Sequence, residues 1–216
     1  IAVGMLAGWA IVAADPELFY SIIPESLAGG RGPDQTRELM AKSLEGGVET
    51  AAAAQSFVLQ LASHNAGIAL LAAGLGIAFG LPTILLLAYN GAILGAMLAA
   101  FDVHGLLVPF IAWLSVHGVT ELGAIIIAGA GGLTIARGLL FPKVDETRMA
   151  AAKRHGMHGG FLAAGAFAML FVAAFFEGVL RQAIEPTAAR LIFGGATAIF
   201  WLWYFQRGRA SRRGQR

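Results

Sequence analysis

The stretch from Ala66 to Phe141 is almost entirely apolar, with small polar sets inside it and at its mouth: His64-Asn65, Asn90-Gly91 and His117-Gly118-Val119-Thr120-Glu121. No Lys or Arg occurs between Lys42 and Arg137, a gap long enough for several membrane crossings of roughly 20 residues each. Amide and ionisable groups are costly in hydrocarbon, so those that persist there usually face a bundle interior and carry function.

The apolar runs predict an all-α polytopic bundle of about six spans. Ile1–Ala14 is expected to be a truncated first transmembrane helix running outward. Residues 15–60 read as an extracytoplasmic acidic helical cap, with turns at Pro16, Pro24, Gly29-Gly30 and Gly32-Pro33. Asp34 is placed to cap an amphipathic helix with apolar Leu39, Met40 and Leu44. Gly46-Gly47 breaks that helix, and a second from about Glu49 leads into the membrane. The bundle then fills residues 61–206. Span two covers about Ala66–Leu81, Pro82-Thr83 makes a break, and span three runs out to about Ala100. After an outer turn at Asp102–Gly105, Leu106–Val116 is too short to cross and contains Pro109, which suggests a re-entrant or interfacial helix. Span four runs from Gly118 to Leu140. A basic loop near 142–158 separates it from span five (Gly160–Leu180) and span six (Ala188–Tyr204), with Trp201, Trp203 and Tyr204 as an inner aromatic belt.

Composition agrees with this class. Hydrophobic residues make up 57% of the chain and charged residues 13%, against about a quarter charged in a soluble domain. The absence of Cys excludes disulfides and thiol chemistry. The net charge of +2 invites a nucleic-acid reading, but the placement of the charges argues against one. Between Asp15 and Gln60 seven acids (Asp15, Glu17, Glu25, Asp34, Glu38, Glu45, Glu49) face three bases (Arg31, Arg37, Lys42). Lys143, Arg148, Lys153 and Arg154 cluster in the loop, and Arg207, Arg209, Arg212, Arg213 and Arg216 in the 207–216 tail. Basic flanks mark the cytoplasmic side, so the expectation is a multi-pass membrane protein with a cytoplasmic C-terminus.

Gly74, Gly76 and Gly80, then Gly91 and Gly95, recur at helical spacing, and Gly118 follows His117. Small residues let backbones approach closely, so spans two and three are expected to pack on each other. A homodimer through the same faces is a further expectation.

Three ordered stretches resemble the stage II sporulation protein M family over roughly Phe19 to Trp203. The first is Ser63-His64-Asn65 leading through Leu75–Thr83 to Tyr89–Gly95; the second is His117-Gly118-Val119-Thr120-Glu121-Leu122 with its continuation Ala128–Leu133; the third is Glu177-Gly178 followed by Pro186. Val116 stands where the family commonly has Pro. The resemblance implies a polytopic scaffold working with cell-wall-degrading proteins during engulfment, or a component of another envelope system.

Six polar residues are the candidate functional centre: His64, Asn65, Asn90, His117, Glu121 and Glu177. His117 and Glu121 share a helix face at i, i+4. They suit a structural hydrogen bond, a proton or substrate path, or half of a metal site. Asn65 and Asn90 suit either helix clamping or the wall of a polar cavity. Glu177 can pair with Arg181, or join Glu121 in one polar centre. His155 and His158 read as part of a solvated loop. No nucleotide-binding loop, catalytic triad or His-Glu-x-x-His occurs, so neither a catalytic role nor a cofactor is expected. The first functional expectation is a non-enzymatic envelope scaffold or gate, with membrane lipids and other envelope proteins as partners and no nucleic acid. The alternative is a permease-type subunit using His117, Glu121 and Glu177, driven by a separate ATPase or an ion gradient.

Overall fold

A computed structural model describes residues 1–45, 51–180 and 183–213, with side chains at 1–45, 63–180 and 183–208. The described residues contain helices and no strand. The long helices are α1 (Ala2–Ala14), α2 (Ala51–Gly74), α3 (Leu81–Val103), α4 (Leu107–Leu140), α5 (Arg148–Phe175) and α6 (Thr187–Arg213). Among the described residues, four segments are long and apolar enough to cross a membrane: Leu81–Val103, Leu107–Leu140, Arg148–Leu180 and Thr187–Gly208. Ala2–Ala14 and Ser63–Ala78 are shorter apolar helices.

Glycine and alanine line most of the helix contacts, as expected where lipid supplies no hydrophobic drive between helices and close packing must hold them. Gly4 lies on the backbone of Ala88 and Gly8 on that of Ala92, while Gly91 receives Ile1 and Gly95 receives Met5. The paired numbers rise together, so α1 and α3 run parallel. This corrects the expected pairing of spans two and three through these glycines. Both α1 and α3 carry Gly at i, i+4, and each supplies the groove for the other. Gly76 instead meets Gly132 of α4, and Gly132 meets Ala72. These glycine faces are therefore filled within the chain. A Cβ at Gly118 would first meet the Leu114 side chain of its own helix.

Gly80 has φ +80°, and a Cβ there would lie 2.8 Å from that of Ala136. Glycine both reverses the chain between α2 and α3 and lets the turn sit against α4. Thr83 ties the same hairpin, donating to the Ala72 carbonyl at 3.0 Å. Gly131 faces Gly159 and Gly138 faces Ala151, so α4 and α5 run antiparallel. Ser115 meets Gly194, and Trp201 donates to Thr120 at 3.1 Å, so α6 runs parallel to α4. Trp201 is thereby turned into the bundle, whereas Trp203 and Tyr204 are exposed as expected of a belt.

Two boundaries differ from expectation. Leu106–Val116 is no separate re-entrant helix, because α4 continues unbroken through Gly118 for 34 residues. Pro109 falls in its first turn, where the missing N–H has no helical partner to lose. At about 1.5 Å per residue α4 is roughly 51 Å long, well beyond the hydrocarbon thickness of about 30 Å. Likewise the basic segment 142–158 is a loop only as far as Thr147. The Thr147 hydroxyl accepts from the Ala150 N–H at 3.2 Å and starts α5 at Arg148. Glu146 pairs with Arg154 through two contacts of 3.0 and 2.7 Å, and His155 packs near Gly138.

Residues 15–45 fold into short helical turns over one end of the bundle. Phe19, Ile23, Ala28, Met40 and Leu44 are buried against Val12, Phe101, Leu106, Phe110 and Trp113. Thr36, and not Asp34, caps the Arg37–Lys42 helix, accepting from the Leu39 N–H at 3.3 Å. Asp34 instead accepts from the Tyr20 hydroxyl at 2.7 Å. Met40 and Leu44 point inward as their pattern implied, while Leu39 is 54% exposed. Tyr89 donates to the Ile22 carbonyl at 3.1 Å, and Arg190 donates to the carbonyls of Ile184 (2.7 Å) and Leu44 (3.3 Å). The cap is thus fastened to α3 and α6. The expected Gly46-Gly47 break, the Glu49 helix start, the Glu177–Arg181 pair and the tail arginines beyond Gly208 lie outside the residues whose side chains are described.

Candidate functional site

Beneath the cap, between α2, α3 and α4, lies a cavity of about 180 Å³. Five of the six polar residues singled out in the sequence line it: His64 and Asn65 from α2, Asn90 from α3, and His117 and Glu121 from α4. Their convergence follows from helix directions. Asn65 meets Glu121 as Ala72 meets Gly132, so α2 runs parallel to α4 and carries its polar pair to the level of the α4 motif. Helix α3 returns antiparallel, bringing Asn90 to the same wall.

On α4 the site is a ladder of successive turns. Trp113, His117 and Glu121 recur at i, i+4 and i+8, which places them on one face. The Trp113 and His117 rings pack edge to face, with centroids 5.3 Å apart and planes at 90°. The Asn65 amide donates to the Glu121 carboxyl, fixing its orientation across the α2–α4 interface. His117 is 1% and Glu121 7% exposed. Asn90 contributes a buried amide nitrogen, Nδ2, with no acceptor among the described residues. Ile93, Leu94, Met97 and Phe110 add apolar lining, Phe110 stacking on Trp113 at 6.0 Å.

Glu177 does not line the cavity. It is fully buried on a π-helical turn, Phe176–Leu180, that extends α5. Its carboxyl is close enough to act electrostatically on that of Glu121. The two acids thus form one electrostatic unit, reached through different helices. A π-turn widens the helix locally and re-aims a side chain, and such turns are frequent at functional sites.

Arg31 was missing from the sequence-derived centre. It reaches from the cap into the cavity wall, its guanidinium carbon 5.5 Å from the centre of the Trp113 ring. Trp113 itself, about two turns from Glu121 on the same helix, was equally unmarked. The one available signal was that Arg31 is one of three bases in an acidic segment.

Chemically the cavity brings a guanidinium from the cap and a carboxyl from α4 to one volume, together with amide and imidazole side chains and an apolar lining. Among the described residues, no three His, Asp or Glu side chains converge as a metal ion requires. Asp102 lies in the last turn of α3 and His104 just past its end, both outside the residues lining the cavity. His158 sits on the first turns of α5, its Nδ1 3.0 Å from the Arg154 carbonyl.

The family described as stage II sporulation protein M matches residues 1–180 of the chain. No curated protein and no solved structure matches it.

Proposed function

Since the chain belongs to the stage II sporulation protein M family and carries four helices long enough to cross a membrane, we propose that it is a permease-type component of a bacterial envelope system, with the cap as its gate. One observation carries the reading: a cavity lined by five ionisable or amide side chains of three helices and roofed by a cap arginine. Polar groups kept at membrane depth around an open volume mark a path or a binding place for a solute. A bundle held only for rigidity would have no need of the space.

In this reading the chain crosses six times, α1 and α2 completing the four longer spans. The alternation of helix directions supports it. So does the charge distribution: the acidic cap lies at one end of the bundle, and Lys143, Arg148 and Lys153 lie at the other. The basic end faces the cytoplasm. Energy comes from a separate ATPase or an ion gradient.

The chain has no Cys, so a single introduced thiol reports access without background. Asn90→Cys in sealed membranes is expected to react with a membrane-impermeant maleimide from the cap side, and faster when Arg31 is replaced by Ala. A thiol protected from both sides, with and without the cap arginine, rejects the gated-path reading.

The scaffold reading draws on a different observation. Glu17, Glu25, Asp34 and Glu38 are all exposed on the cap, an acidic surface suited to a basic partner. Mass spectrometry of what co-purifies with the wild type and with the His117→Ala, Glu121→Ala double variant separates the two. Envelope proteins held equally by both favour the scaffold.

A further inference from the structure

We infer that the basic end of the α4–α5 pair binds an anionic phospholipid, Arg137 and Lys153 taking the headgroup phosphate and Met157 and Phe161 the start of an acyl chain. The inference goes beyond the permease reading and is independent of it, needing only that this end of the bundle reach a bilayer surface.

Helix length brings this end to headgroup depth. Trp113 is covered by the cap, and Arg137 is the first base on α4. At about 1.5 Å per residue the two stand roughly 36 Å apart along the helix, slightly more than the hydrocarbon thickness of about 30 Å. Arg137 therefore leaves the apolar layer at the depth of the lipid phosphates. Gly138 lies against Ala151 and His155, so Lys153 of α5 stands at the same level. Both side chains are exposed, and neither joins an ion pair among the described residues.

Charge at this level is not balanced within the described residues. His155 lies within electrostatic reach of Arg137, Arg154 and His158, and of one acid, Glu146. Both Glu146 oxygens are engaged by Arg154, at 3.0 and 2.7 Å. Arg137, Lys143, Arg148 and Lys153 then stand against Asp145 alone. A phosphodiester supplies the missing negative charge, and Arg and Lys meet it through charge-assisted hydrogen bonds. Bases next to a membrane helix are drawn to an anionic leaflet for the same reason.

Charge alone would suit a free anion equally well. The apolar stripe decides for a lipid. Met149, Lys153, Met157 and Phe161 recur at i, i+4, i+8 and i+12 along one side of α5. Met157 is 64% and Phe161 74% exposed. Beside them, a Cβ at Gly160 would have nothing within 4 Å, which leaves a shallow notch next to the Phe161 ring. Lys153 thus rises from an apolar face, its methylenes lying on that face while its ammonium reaches the headgroup. A soluble anion makes no use of Met157 and Phe161; an acyl chain covers both.

The test uses the full chain in mild detergent, read by native mass spectrometry. Phosphatidylglycerol and phosphatidylcholine of matched chains compete for it, and glycerophosphoglycerol, the headgroup without chains, is titrated separately. One phosphatidylglycerol per chain is expected, held at least tenfold more tightly than either phosphatidylcholine or glycerophosphoglycerol. Arg137→Gln combined with Lys153→Gln cuts the preference over phosphatidylcholine at least fivefold. Lys153→Gln alone, at an exposed position, cuts it about threefold and serves where the double variant does not fold. Phe161→Ala weakens phosphatidylglycerol retention several-fold. Arg37→Gln combined with Lys42→Gln removes the same charge from the cap and leaves the preference unchanged. Equal retention of the two lipids overturns the inference and leaves the basic end to an acidic protein partner. An equal loss in the cap variant overturns it as an effect of net charge, and glycerophosphoglycerol bound as tightly as the lipid overturns it as a soluble-anion site. Maleimide access at Asn90→Cys is read separately, so failure here and failure of the gated path are distinct results.

Discussion

Asn65 and Glu121 meet across the α2–α4 interface, the amide of one helix donating to the carboxyl of the other. The contact is the hinge of the site's geometry. It holds a carboxyl at the cavity wall while Glu177 presses on it from α5. Side-chain hydrogen bonds between membrane helices average about 0.6 kcal/mol and reach about 1.7. A double-mutant cycle of Asn65→Ala and Glu121→Ala, read by unfolding in mixed detergent micelles, is expected to show coupling in that range. The same cycle run with His117→Ala and Glu121→Ala tests the i, i+4 pair on α4. Costs that simply add in either cycle show that the corresponding contact contributes nothing.

The parallel α1–α3 contact leads to a sharper expectation. Gly8 and Gly95 each have a backbone segment of the partner helix where a Cβ would lie. Gly95→Leu cannot be accommodated by rotating a side chain, and separating the helices forfeits their packing. A cost of about 1–3 kcal/mol or more is expected, as in overpacked cores. Gly165 has nothing within 4 Å of its would-be Cβ, so Gly165→Ala is the control. It is expected to stabilise α5 by roughly 0.5–1 kcal/mol through helix propensity alone. Equal melting shifts for the two variants contradict the assigned interface.

The Tyr20–Asp34 hydrogen bond makes the cap sensitive to pH at both extremes. Its donation holds the Asp34 carboxyl below the ordinary 3.8. A carboxyl lowered by folding contributes stability above its unfolded value, and that contribution is lost as pH falls through the folded one. The same bond raises the Tyr20 hydroxyl above its ordinary 10.0. That contribution is present below pH 10.0 and disappears as pH rises through the raised value. Limited proteolysis of the cap is therefore expected to accelerate below about pH 3.8 and above about pH 10. Tyr20→Phe flattens both limbs. Its retention of the wild-type profile shows that the bond does not hold the cap.

The membrane class and helix order were legible because long apolar runs and a gap in basic residues are properties of local sequence. Convergence of His64, Asn65, Asn90, His117 and Glu121 was suggested by polarity alone, since few polar groups survive at that depth without a reason to meet. The α1–α3 pairing was not legible. It joins helices some eighty residues apart, and Gly91 and Gly95 look equally ready to receive any neighbour. The continuity of α4 was hidden by Pro109, whose effect depends on whether it falls in a first turn or an interior one. Arg31 escaped notice because its role comes from how the cap folds back over Trp113, which no local pattern records.

Arg190 offers the last test, of how the cap is fastened to the bundle. It is 9% exposed and its guanidinium serves two carbonyls at once, Ile184 through Nε and Leu44 through Nη1. Those acceptors lie on different sides of the cap junction, so the planar fork joins the cap to the start of α6. Lys carries one compact ammonium and cannot reproduce two donors in fixed geometry. Arg190→Ala is expected to cost about 1–3 kcal/mol through carbonyls left without a donor, and Arg190→Lys to recover only part of it. If the fork also seats the cap over the cavity, Arg190→Ala increases maleimide labelling at Asn90→Cys much as Arg31→Ala does. Lower stability with unchanged labelling shows that Arg190 holds α6 and leaves the seating of the cap to Tyr89 and the apolar contacts of Phe19 and Met40.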